Sequence, residues 1–137
     1  MGTWDAGPFD NDAAADFCGD LDEAAPGDRE GLVRSTLTHV VETAGYLDAH
    51  DADEAVAAAA LVAAQCTGGD PADPVYGPDE PLPDLTGLRE LAFDALARVT
   101  TEPSELMELW ADSDGATWRA NVQSLQTVLR PRPPGAV

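Results

Sequence analysis

Carboxylates and two histidines are the residues of this chain whose types could do chemistry, and they gather at two places. Asp10, Asp12 and Asp16 stand together around a helix start near the N-terminus. Several carboxylates at one helix start are what a hard cation such as Ca²⁺ or Mg²⁺ requires. The spacing nevertheless lacks the glycine and terminal glutamate of an EF-hand loop, and capping accounts for Asp10 and Asp12 without a metal. His50 with Asp51, Asp53 and Glu54 is the second group. A histidine beside carboxylates can ligate a metal or act as an acid–base pair. No second histidine lies at ligand spacing, and Asp51 and Glu54 have the separation of a capping box built on aspartate. His39 has Ser35 and Glu42 as helical neighbours and reads as a boundary residue. No stretch matches a nucleophile elbow, a P-loop, a dinucleotide loop or a paired-cysteine zinc site. Ser104, Ser113 and Ser124 have no base nearby in sequence. These residues point away from an enzyme and name no cofactor and no metal.

The elements that must position them are read from apolar periodicity. Pro8 restrains Gly7, so the chain opens as an arm and not as a helix. A first helix then follows, capped by Asp10, Asn11 or Asp12, with Ala13, Phe17, Leu21 and Ala24 at helical spacing and Asp16, Asp20 and Glu23 in a charged row beside them. Pro26-Gly27 ends it. Val33, Leu37, Val40, Ala44 and Leu47 alternate steps of four and three, which predicts a second helix over 28–47 with Arg34, Thr38 and Glu42 on its wet face and its end loosened by Gly45 and the His50-Asp51 turn. A third helix opens at Asp51 and runs through AVAAAALVAA, residues 55–64, apolar on every side. Such a helix is central, and its small side chains let neighbours approach closely.

Residues 67–84 carry five prolines and read as one long connection. A fourth helix over 84–99 presents Leu85, Leu88, Leu91, Ala92, Ala95, Leu96 and Val99. Pro103 opens a short fifth helix with Leu106, Leu109 and Trp110, and Asp114 caps a sixth with Trp118, Val122, Leu125 and Leu129. Trp110 and Trp118 fall among apolar residues as core. The expectation is an all-α fold. It is a compact bundle of about five to six helices around the alanine-rich one, a single domain over 1–130 with an N-terminal arm docked on it and 131–137 as an extended or disordered tail.

Composition agrees with helices. Isoleucine is absent, aromatics are 6% of residues, and alanine supplies much of the 44% hydrophobic fraction. Charge is the most extreme property: 26 acidic residues against 7 basic ones, all arginine, for a formal net charge of -19. Such a surface repels phosphate backbones and anionic lipids and attracts basic proteins or cations, so nucleic acid and membranes are excluded as expected partners. With no leader-like or membrane-spanning apolar run, the reading is a cytoplasmic protein. Cys18 and Cys66 are expected as buried thiols.

Gly2-Thr3-Trp4, then Gly7-Pro8-Phe9-Asp10-Asn11-Asp12, then Asp16-Phe17, resembles the opening of a family of small bacterial proteins, domain of unknown function 4259. The run Glu105-Leu106…Glu108-Leu109-Trp110 is loosely similar to the same family. The resemblance implies relatives and no activity. Trp4 is expected to dock on the body, since its ring is the arm's largest apolar surface. The binding candidates are Trp4, Asp10, Asp12, Asp16 and His50. The function expected is a non-catalytic acidic protein, immunity- or antitoxin-like, for a basic protein or cationic ligand. The alternatives are a metal-dependent protein or enzyme using the Asp cluster, and an acidic structural or stress-related protein.

Overall fold

In the computed structural model, the structure describes residues 12–65, 84–101, 105, 106, 108 and 115–129. Five α-helices occupy most of them: α1 (Asp12–Glu23), α2 (Arg29–Glu42), α3 (Ala49–Ala64), α4 (Arg89–Val99) and α5 (Gly115–Leu129). Tight 3-10 turns over Pro26–Asp28 and Thr86–Leu88 lead into α2 and α4. Glu105, Leu106 and Glu108 are helical as well, and no extended strand occurs among the described residues.

α3 is the central helix, as its all-round apolar sequence predicts. Every residue from Ala55 to Ala63 is buried, and α1, α2, α4 and α5 all pack against it. Each neighbour contributes one apolar stripe: Ala14, Phe17, Cys18 and Leu21 from α1; Val33, Leu37 and Val40 from α2; Ala92, Ala95, Leu96 and Val99 from α4; Trp118, Val122 and Leu129 from α5. Methyl side chains on α3 let four helices share one axis without a void, and interior packing is dense enough that each added methylene would be felt. Burial pushes the Cys18 thiol up to about 12, with Asp22 adding to the shift, so this free thiol is an inert core residue.

Helix ends differ from expectation in two places. α2 stops at Glu42, five residues short of Leu47, and Ala44 is exposed instead of facing the core. Gly45 stands just past this end, and a side chain of α4 holds the carbonyls there. Arg98, near the end of α4, donates from Nε to the Thr43 carbonyl at 3.0 Å and from Nη2 to the Gly45 carbonyl at 2.5 Å. Carbonyls at a helix end lack intrahelical partners, and Arg98 satisfies these two. Leu47 is fully buried, but as an isolated anchor whose carbonyl accepts the Glu105 amide at 2.9 Å. α3 begins at Ala49 with Asp48 as its cap, the carboxylate accepting the His50 amide at 2.6 Å. The capping box expected of Asp51 and Glu54 therefore does not form, and both carboxylates are left for other partners.

Arg98 is one of three arginines that close the C-terminal end of another helix. The buried Arg29 donates from Nε to the Leu21 carbonyl at 2.9 Å, closing α1. Arg89 donates to the Leu129 and Val128 carbonyls at 3.1 and 2.9 Å, closing α5. A cation there satisfies orphan carbonyls and meets the negative end of the helix dipole. Replacing Arg98 by alanine should cost about 1–3 kcal/mol, because carbonyls shaped around a charged donor lose it. The denaturant midpoint should fall with an unchanged slope; an unchanged midpoint would mean that water replaces the guanidinium freely.

Candidate functional site

The N-terminal half of α3 collects the titratable groups of three helices. His39, one turn from the end of α2, donates from Nε2 to Asp51 Oδ2 at 2.9 Å, bridging α2 and α3. The carboxylate only accepts, so Nε2 is the donor. His50 Nε2 stands 3.7 Å from Glu54 Oε2 along α3. Between the helices, Ser35, Thr36, His39, Asp51 and Glu54 line an open cleft of about 200 Å³.

Two carboxyls here ionise reluctantly. Asp53 is pushed up to about 7 by loss of hydration, against which His50 pulls weakly. Glu54 is raised for the same first reason, with His50 opposing and the negative charges of Asp51, Asp20 and Asp16 adding. Asp16 and Asp20 belong to α1, so the acidic row of the first helix faces the α3 carboxylates across their interface.

His50 is in this group and exposed, as is Asp16. Trp4 and Asp10 lie outside the described residues, as do Cys66, Trp110, the proline-rich connection through residue 83 and the 131–137 tail. Asp12 is the first residue of α1, and its side chain is likewise outside them. His39, expected as a residue at the edge of the second helix's apolar stripe, has a specific partner twelve residues on. Its signal in sequence was faint, since the His39–Asp51 approach depends on where α2 ends.

The Asp51 carboxylate orients the His39 imidazole, a pairing that acid–base chemistry and recognition of positive charge can both use. Among the described residues, no group of three or more His, Cys, Asp or Glu side chains is placed to hold a metal ion. Nor is any helix there long and apolar enough to cross a membrane.

The fold and surface define the class: a small, strongly acidic all-α bundle in which Arg29, Arg89 and Arg98 close helix ends. The chain belongs to the family described as domain of unknown function (DUF4259), whose model matches residues 2–121. The match runs far beyond the opening arm and takes in all of α1 to α4 and the start of α5. No curated protein and no solved structure matches the chain.

Proposed function

We propose that this is a non-catalytic binding protein of the bacterial cytoplasm whose acidic surface engages a basic protein or cationic ligand, in the manner of immunity and antitoxin-like proteins. The observation that carries the reading is how the positive charge is disposed. Arg29, Arg89 and Arg98 spend their guanidinium groups on backbone carbonyls at helix ends. Arg34 pairs with Glu30 one turn away. With 26 acidic residues in the chain against 7 arginines, the surface field is left strongly negative. Fields of this kind steer oppositely charged partners and repel nucleic acid.

Affinity capture from an extract of the native bacterium tests this. A partner with a high arginine and lysine content should be retained at about 0.02 M salt and released by about 0.5 M, where charges on opposing surfaces are screened. Recovery of no partner, or only of partners that salt does not release, would remove the reading.

A further inference from the structure

Among the described residues, the exposed large hydrophobic side chains are Val41 and Tyr46, five positions apart where α2 gives way to α3. Tyr46 is the more open, at 54% of its full exposure. Its hydroxyl donates to Glu108 Oε1 at 3.1 Å, which orients the ring. The carboxylates around it come from separate parts of the chain and are tied in place. Asp48 is fixed by capping α3. Glu105 is fixed twice, its amide donating to the Leu47 carbonyl and its Oε1 accepting the Ala49 amide, each at 2.9 Å. Partial loss of hydration, the bond to Glu108 and the negative charges of Glu108, Glu105 and Asp48 together raise the Tyr46 phenol above its ordinary value.

An exposed ring inside a polar rim is how protein interfaces place their strongest contacts, and tyrosine is enriched there. Which partner fits follows from charge. A guanidinium stacks on an aromatic face and pairs with carboxylates at the ring's edge; an ammonium can do only the second as well. Arg98, the described arginine bonded to this loop, is occupied by the Thr43 and Gly45 carbonyls.

We propose that Tyr46, with its rim of Asp48, Glu105 and Glu108, docks an arginine-bearing segment of a basic partner protein. The inference rests on the binding reading above and gives it a location.

The test is nitrogen-15 NMR titration of the full chain at low salt with capped hexa-arginine and hexa-lysine peptides. Perturbed amides should centre on residues 41–48 and 105–108, with hexa-arginine the tighter ligand. Tyr46→Ala should weaken hexa-arginine roughly 5- to 10-fold, on the scale of one lost cation–aromatic contact. Tyr46→Phe should keep most of the affinity, and Glu108→Gln should lower it while the ring remains. Glu90→Gln, at the far end of α4, should change it less than about 2-fold, as one rim charge among many. Thermal midpoints of the variants report whether the fold is intact. Perturbations scattered over the acidic surface, equal affinity for the two peptides, unchanged affinity in Tyr46→Ala, or no binding would each overturn the inference. A salt-released partner captured from extract equally by wild type and Tyr46→Ala would leave the general reading standing and remove only this site.

Discussion

Asp53→Asn should stabilise the protein at pH 8 and leave it almost unchanged at pH 4. The carboxyl stands at about 7 in the folded chain against an ordinary value of 3.8 because α3 and its surroundings strip its hydration. The folded state thus binds this proton more tightly than the unfolded one. Its stabilising contribution is complete below about pH 4, declines as pH rises and is gone above about 7. A shift of about three units corresponds to at most ~4 kcal/mol, and residual water at a half-buried group reduces that to roughly 1–3 kcal/mol. Asparagine never ionises, so it retains the benefit at every pH. Paired thermal melts at pH 4 and pH 8 check this, and an equal gain at both values would show that dehydration of the carboxylate is not the cause.

Ala58→Leu should destabilise by about 1–3 kcal/mol, with the thermal midpoint falling on the order of 4 °C for each kcal/mol. Alanine and leucine have similar helix propensities, so a loss must come from packing. Ala58 is fully buried on the helix that all four others contact. Leucine is larger than a position with no exposed surface can take unless the helices packed on α3 shift. The same change at exposed Ala44 should be nearly neutral. Equal effects at both positions would contradict a packing origin.

How much of this was legible in the chain follows from how local each determinant is. AVAAAALVAA announces a central helix with its own composition, and the stripes of α1, α4 and α5 are read from spacing alone. The end of α2 was legible only in part: Gly45 loosens it, while Val33 to Leu47 keeps its period through the break. Arg98, more than fifty residues away, holds the Thr43 and Gly45 carbonyls, a contact no local pattern encodes. With α2 ending at Glu42, Asp48 caps α3 in place of Asp51, and Asp51 pairs with His39. Asp53 belonged to a helix-start signal in sequence; only the packed structure shows that its carboxyl loses water. Tyr46 carried no sequence signal, since its rim is assembled from Asp48 and from Glu105 and Glu108 nearly sixty residues on.

The proposed engagement of a basic partner through negative surface charge makes a direct demand on binding. The most direct measurement is the affinity of the purified protein for its captured partner across a series of salt concentrations. The logarithm of the binding constant should fall steadily as the logarithm of salt rises, with the loss carried mainly by slower association. A binding constant that stays level across that series would contradict the account.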